Sequence, residues 1–268
     1  MTWTLQLGDC LDPVRGLASL AADSIDHVVT DPPYSRGLYE RFRTNLGARG
    51  HGTGGKNHYY GHESAAHRLF ASQAIGAADD VATPVVREIK RITDRWVIIF
   101  HDAESGAMWR TPLGDWHVRC GVWVKTNPVP QISGDRPAQG FESIEIAHHP
   151  GAKRWNGGGR AAVWTVGALQ GTWSERKRND HPCPKPLALM EALVRDFTEP
   201  GETILDPFAG SGTTGIACIR LGRNFVGWER DPRYHAIALR RLAGTREQLT
   251  IPLARPPKPN QATMELEE

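Results

Sequence analysis

Thr203-Ile204-Leu205-Asp206-Pro207-Phe208-Ala209-Gly210-Ser211-Gly212-Thr213-Thr214-Gly215 joins a short apolar run to a glycine-rich turn and the opening of a helix. Thr203–Asp206 predicts a strand. Thr213–Leu221 predicts a helix that Gly222 stops in the left-handed conformation. The G-x-G-x-x-G between them permits a tight turn and close approach of backbone to a ligand. The helix N-terminus beyond it favours an anionic group. Glu229 closes the next predicted strand, Phe225–Glu229, where an acid commonly holds ribose hydroxyls. Asp231 then suits a helix N-cap with Pro232 at the first helical position. Tyr234, Ile237, Ala238 and Leu242 mark that helix's apolar face. Strands alternating with helices predict an α/β fold: a Rossmann-like, open, mostly parallel sheet with helices on both faces. Such sheets bind ligands at the carboxyl ends of their strands.

Upstream, Leu187, Met190, Val194 and Phe197 recur at helical spacing and Pro200-Gly201 ends the run. Thr4–Leu7 predicts a strand turning at Gly8-Asp9, and Leu11–Leu20 a short helix. Ile25–Thr30 is an apolar strand that Pro32 and Pro33 must stop. Glu63 to Ile92 is broadly helical with breaks expected near Gly76 and Pro84. Trp96–Phe100 predicts a buried strand. Trp116–Lys125 and Phe141–His148 predict an antiparallel pair about a Pro/Gly loop. With 268 residues the chain fits one large domain, placed at 1–250, followed by a Pro- and charge-rich tail expected to be disordered over 251–268.

Composition narrows the class. Charged residues are 23% and hydrophobic residues 40% of the chain, which argues for a globular protein over a disordered one. No apolar stretch approaches a membrane span, and the N-terminus lacks a signal-peptide pattern, so no membrane partner and a cytoplasmic location are expected. The 4 cysteines form no C-x-x-C pair, and His58, His62 and His67 match no zinc spacing, so no metal site is expected. Net charge is only +2, but it is unevenly spread. Segments 35–70 and 151–180 are strongly basic and aromatic, and the remainder is net acidic.

Two motifs carry the chemistry. In the glycine loop, a nicotinamide cofactor is one reading. Asp206 ahead of the turn would repel a pyrophosphate, whereas it suits a ligand with an ammonium group. A ligand bearing adenosine, an ammonium and a carboxylate meets these demands, S-adenosyl-L-methionine among them. In Asp31-Pro32-Pro33-Tyr34, each proline fixes φ and removes a backbone donor. The turn can therefore hold the Asp31 carboxylate and the Pro32 carbonyl toward one point, two acceptors suited to an NH₂ group. Tyr34 offers a flat face to a base.

Taken together these residues resemble the beta class of S-adenosylmethionine-dependent DNA amino-methyltransferases, over most of residues 1–245. Asp31-Pro32-Pro33-Tyr34 is similar to the catalytic motif and Asp206 to Thr213 to the cofactor motif, in the beta-class (circularly permuted) order. His181-Pro182-Cys183-Pro184-Lys185-Pro186 resembles the family's H-P-x-x-K-P segment, with Cys183 a departure from the usual Thr or Ala. Trp123-Val124-Lys125 is similar to its W-x-K element, and Gly8-Asp9-Cys10 to its adenine-contacting turn. The resemblance implies that Asp31 and Pro32 hold the target amine, with Pro33 in the same rigid turn and Tyr34 stacked on the flipped base. It implies cofactor contacts from Asp9, Cys10, His181, Lys185, Asp206, Phe208, Gly210, Ser211, Gly212, Thr213 and Glu229. Double-stranded DNA is the implied partner, with segment 35–62 as a mobile contacting loop and 149–180 as a target-recognition insert. Arg36, Arg41, Arg43, Lys56, Lys153, Arg154, Arg176, Lys177 and Arg178 are the expected DNA-contacting cations. The Asp-Pro-Pro-Tyr form mostly marks adenine N6 enzymes, with cytosine N4 as the alternative. A nicotinamide oxidoreductase and a DNA-binding protein with a vestigial fold are more distant alternatives. A homodimer and a cognate restriction nuclease are left open.

Overall fold

The computed structural model describes residues 1–36, 77–128, 137–168 and 184–250. Its strands are β1 (Trp3–Leu7), β2 (His27–Thr30), β3 (Trp96–His101), β4 (His117–Val124), β5 (Phe141–His148), β6 (Val163–Thr165), β7 (Thr203–Asp206) and β8 (Asn224–Glu229). They form a single sheet in the order β1-β8-β7-β2-β3-β5-β4-β6. β5 pairs antiparallel with both of its neighbours, and every other pairing is parallel, so among the described strands β5 alone is reversed. The expected Rossmann-like α/β sheet and the antiparallel β4–β5 pair are therefore both present.

The described helices are α1 (Ala78–Ile92), α2 (Gly106–Leu113), α3 (Leu187–Phe197), α4 (Thr213–Arg220) and α5 (Pro232–Thr250). Alternation along the central strands feeds two cores. Val29, Ile98, Phe100 and Ile204 face the side covered by α3, α4 and the apolar stripe of α5. Val28, Val97, Ile99 and Leu205 face α1 and α2. A strand that is apolar on both faces is what a sheet covered on both sides requires.

Three local expectations are corrected. Residues 11–20 do not form an α-helix; they run through turns to a single 3₁₀ turn at Leu17–Ser19. Asp9 Oδ1 accepts from the Leu11 N–H, and Asp12 Oδ1 accepts from Val14 and Arg15, so side-chain bonds replace helical ones. Gly16 packs too closely for any larger residue, since a Cβ there would meet the Cys10 carbonyl oxygen at 2.3 Å. α1 runs unbroken through Pro84. A proline inside a helix costs about 3 kcal/mol, against about 1.5–3 kcal/mol for each large side chain buried, and Val85, Val86, Ile89 and Ile92 are all fully buried. Finally, α2 and the short β6 were not anticipated. α2 contains Gly106 and Pro112, both weak helix formers, and buries Trp109 and Leu113 nonetheless.

Described helices include none long and apolar enough to cross a membrane.

Candidate functional site

All of the parallel strands deliver their carboxyl ends to one edge of the sheet. β2 and β7 are direct parallel neighbours there. Thr30, the last residue of β2, donates its hydroxyl to Asp206 Oδ1 at 2.7 Å. Thr214, in the first turn of α4, donates to Asp206 Oδ2 at 2.6 Å, and the Phe208 N–H reaches Oδ1 at 3.1 Å. The proline tetrapeptide thus starts one residue beyond a side chain bonded to the glycine loop's own acid. Burial raises Asp206 to about 6, against the pull of its three donors.

Glu229, at the end of β8, closes the same loop from the other side. Its Oε2 accepts from Gly210 N–H at 2.8 Å and its Oε1 from Asp231 N–H at 2.7 Å. Its backbone oxygen accepts from Gly8 N–H at 3.0 Å, which ties in the Gly8-Asp9-Cys10 turn. Burial raises Glu229 to about 7. Gly210 and Gly212 take φ of 53° and 80°, the left-handed region where glycine is favoured. Arg241 on α5 donates to the Ser211 carbonyl at 2.5 Å and to its Oγ at 2.8 Å, pinning the loop to the helix behind it. Thr213 is buried at the first position of α4. Phe208 is partly buried against the α1 side of the core. Cys10 is buried, and burial pushes its thiol up to about 12, which suits a packing residue.

The tetrapeptide sits in a compact charge cluster. Lys185 Nζ lies 2.6 Å from Asp31 Oδ2 and 3.1 Å from Glu142 Oε2, and it donates to the Tyr34 hydroxyl oxygen at 3.2 Å. Tyr34 in turn donates to Glu142 Oε2 at 2.8 Å, and Lys125 pairs with Glu142 Oε1 at 2.8 Å. Two lysines therefore balance two carboxylates. Burial opposes charge on Lys185, but Asp31, Tyr34 and Glu142 together hold its pKa well above the usual range. Burial likewise opposes ionisation of Glu142, yet Lys185 and Lys125 bring it down to about 2. Asp31 moves the other way: burial outweighs Lys185 and raises it. Its second oxygen, Oδ1, is buried with no hydrogen-bond partner among the described residues.

Lys185, expected at the cofactor site, makes its described contacts with the proline turn and Glu142. Its ammonium also lies over the Phe100 ring, 5.0 Å from the centroid. Pro32 and Pro33 lie in the same turn, and the chain beyond it is anchored. The Ser35 N–H donates to Asp102 Oδ2 at 3.1 Å, and the Tyr34 carbonyl accepts from Ala78 N–H at 3.1 Å. Arg36 is exposed beside the turn and pairs with Asp80 at 2.9 Å. Lys153 is exposed, near the Gly151 carbonyl at 3.4 Å. Arg154 stands at the opposite end of the strands from Asp31. It pairs at 2.6 Å with Glu202, which precedes β7 and also meets His27 at the start of β2. Trp155 and Trp164 of the same segment pack into the core against Phe197. Within this segment Val163–Thr165 joins the sheet as β6, beside β4. Arg41, Arg43, Lys56, Arg176, Lys177, Arg178 and His181 lie outside the described residues, as does the 251–268 tail.

Glu142, Thr30, Thr214 and Asp102 were not identified from sequence. Lys125 stood in the W-x-K element without a role. Glu142 carries no local signal, because only the β4–β5 register, with Trp123 opposite Glu142, sets it beside Lys125.

Comparison with known proteins agrees with this geometry. The DNA methylase family of N6/N4 type matches residues 25–240. The Type II methyltransferase M2.DpnII of Streptococcus pneumoniae is 33% identical over 143 residues, 47% of this chain and 51% of that protein. The chain therefore spans about half the length of that relative in the match. The Type II methyltransferase M.HinfI of Haemophilus influenzae is 25% identical over 89% of this chain and 68% of its own. Among solved structures, the M1.HpyAVI–SAM complex superposes with a TM-score of 0.61 at 23% identity, covering 90% of this chain and 99% of that one. TTHA0409 of Thermus thermophilus, solved with S-adenosyl-L-methionine, superposes with a TM-score of 0.54 at 25% identity, covering 92% and 96%. The PvuII cytosine-N4-specific DNA methyltransferase shares the fold, with a TM-score of 0.62 at 16% identity over 93% of each chain. Both the proline turn and the glycine loop fall inside the matched span, and this chain belongs to the DNA methylase family, the S-adenosyl-L-methionine-dependent N6/N4 amino-methyltransferases of DNA.

Proposed function

We propose that this chain transfers the methyl group of S-adenosyl-L-methionine to the exocyclic N6 of adenine in duplex DNA, after the base is flipped out of the helix. The observation that carries the reading is the juxtaposition of Asp31, whose Oδ1 is buried and unpartnered among the described residues, with the glycine loop one hydrogen bond away through Thr30 and Asp206.

The residues present suit the methyl donor. The left-handed Gly210 and Gly212 keep the loop free of side chains, and Glu229 still has acceptor capacity for a ribose diol. Asp206 places negative charge by the loop, where an ammonium group is favoured. Bound there, S-adenosyl-L-methionine supplies an electrophilic methyl on a sulfonium, a leaving group that needs no acid.

The protein's own task is to position the amine. Its nitrogen lone pair is delocalised into the base ring and is a poor nucleophile. Asp31 Oδ1 and the Pro32 carbonyl can accept its two N–H bonds and draw it toward tetrahedral geometry. Lys185 fixes the Asp31 carboxylate through the other oxygen, so one acceptor stays aimed while its partner is held. Orientation of this kind can contribute about 7–11 kcal/mol to lowering the barrier. Flipping costs a few kcal/mol, partly returned by stacking of about 1–3 kcal/mol on an aromatic face such as Tyr34. The Asp form of the tetrapeptide supports adenine over cytosine. The Type II designation of both relatives supports action beside a restriction nuclease of matching specificity.

The test is transfer of radiolabelled methyl to duplex DNA, followed by digestion to nucleosides. Label in N6-methyldeoxyadenosine is expected. Label in N4-methyldeoxycytidine would move the target to cytosine, and unlabelled DNA would reject the activity.

A further inference from the structure

Against α2, strands β3, β4 and β5 bring three ligand-type side chains together. His101 Nε2 lies 3.5 Å from Glu145 Oε1, and Cys120 Sγ lies 3.2 Å from the same oxygen. The three ligand atoms all fall within 4.8 Å of one another. Tetrahedral zinc with bonds of about 2.0–2.3 Å sets its ligand atoms roughly 3.3–3.6 Å apart, so the spacing suits a shared ion. No sequence spacing announces this group. Cys120 and Glu145 are directly paired across β4 and β5, and His101 arrives from the far side of β5.

Two further observations point to a ligand. His101 is 2% exposed and Glu145 fully buried, yet His101 Nε2 has no hydrogen-bond partner among the described residues. The other ring nitrogen of His101, Nδ1, donates to the Asp102 carbonyl oxygen at 2.7 Å, because a carbonyl can only accept. Nδ1 therefore carries a proton, and Nε2 is the ring nitrogen turned toward the Glu145 carboxylate. A ring N–H given to a backbone carbonyl is also the usual way a metal-binding imidazole is oriented. His117 Nε2 stands 2.9 Å from Glu145 Oε2, a fourth candidate ligand atom within reach.

We propose that His101, Cys120 and Glu145 form a binding site for a borderline-soft divalent cation of the zinc type. The donor set of imidazole, thiol and carboxylate selects such an ion over magnesium or calcium, which prefer oxygen alone. Arg110, on the exposed side of α2, puts its guanidinium 2.6 Å from Glu145 Oε1 and 2.8 Å from Cys120 Sγ. The guanidinium and the metal ion are thus alternatives for one position. Arg110 is half-exposed, so its long side chain can swing to solvent. Binding releases the Cys120 proton to solvent and clamps three neighbouring strands. It also steadies Asp102, whose carboxylate holds Ser35 just beyond the proline turn.

The experiment is titration of the protein with Co²⁺, followed by displacement with Zn²⁺. One equivalent of Co²⁺ is expected to give a sulfur-to-cobalt charge-transfer band, which Zn²⁺ removes. Cys120→Ser, at an exposed position, should keep the wild-type melting profile in chelator and lose the band. Arg110→Gln should tighten Co²⁺ binding at least about tenfold, the scale on which groups next to the ligands act. A band that survives Cys120→Ser, or no band in either the wild type or Arg110→Gln at saturating Co²⁺, overturns the proposal.

Discussion

Replacing Lys185 by Met tests whether the charge cluster holds the catalytic turn. The ammonium contacts Asp31, Glu142 and Tyr34, and its side chain is only 10% exposed. After Lys185→Met, Glu142 keeps Lys125 at 2.8 Å and the Tyr34 hydroxyl, so its loss is partial. Asp31 keeps no cation in contact among the described residues. Removing one partner of a buried pair costs about 3–5 kcal/mol. Because the Asp31 side chain is 29% exposed, water screens part of the loss, and the lower end, about 3 kcal/mol, is expected. The pH dependence has a definite sign. Asp31 already has a raised pKa in the fold, and losing Lys185 raises it further. A carboxyl with a folded pKa above its unfolded value destabilises the fold when ionised, so the penalty should shrink as pH falls toward the folded value. Glu142, held down at about 2, behaves oppositely and loses its contribution only as pH falls below the ordinary glutamate range. Urea unfolding at about pH 8 and about pH 5.5 stays above that second window. The penalty should be larger at the higher pH, and Asp31→Asn with Lys185→Met should recover at least about 1 kcal/mol of it. A penalty below about 1 kcal/mol at both pH values would refute the reasoning.

Asp31→Ala should lower kcat by at least about 10²–10³ while leaving S-adenosyl-L-methionine affinity nearly unchanged. Calorimetry beside a methyl-transfer assay checks this, and retained turnover would remove Asp31 from the chemistry. Gly212→Ala forces a side chain into φ 80° with its Cβ 3.0 Å from that of Ala238. The left-handed conformation alone costs about 1–2 kcal/mol, so both melting temperature and cofactor affinity should fall; unchanged values would mean that the loop adapts freely. Glu229 titrates near about 7, and its ionised form is the better acceptor for ribose hydroxyls. Cofactor affinity measured across neutral pH should therefore weaken as pH falls, and Glu229→Gln should flatten that dependence. An unaltered slope in Glu229→Gln would assign the titration to another group.

Local chemistry in the sequence was sufficient to read the alternation of strands and helices, the glycine turn, the Asp231–Pro232 helix start and the two acid-bearing strand ends. Each depends on residues within a few positions of one another: φ above zero at Gly210 and Gly212, a missing N–H at Pro32 and Pro33, a side-chain cap at Asp231. The same local reasoning failed where burial overrode propensity, as at Pro84 inside α1 and at α2. It could not reach contacts set by strand order and register. Placing β7 beside β2 joins Thr30 to Asp206, and the β4–β5 pairing puts Glu142 between Lys125 and Lys185. The same pairing, with β3, gathers His101, Cys120 and Glu145. Such partners are far apart along the chain, and no spacing encodes them. Folding alone set Lys185 between Asp31 and Glu142, because a buried ammonium must lie where carboxylates can neutralise it.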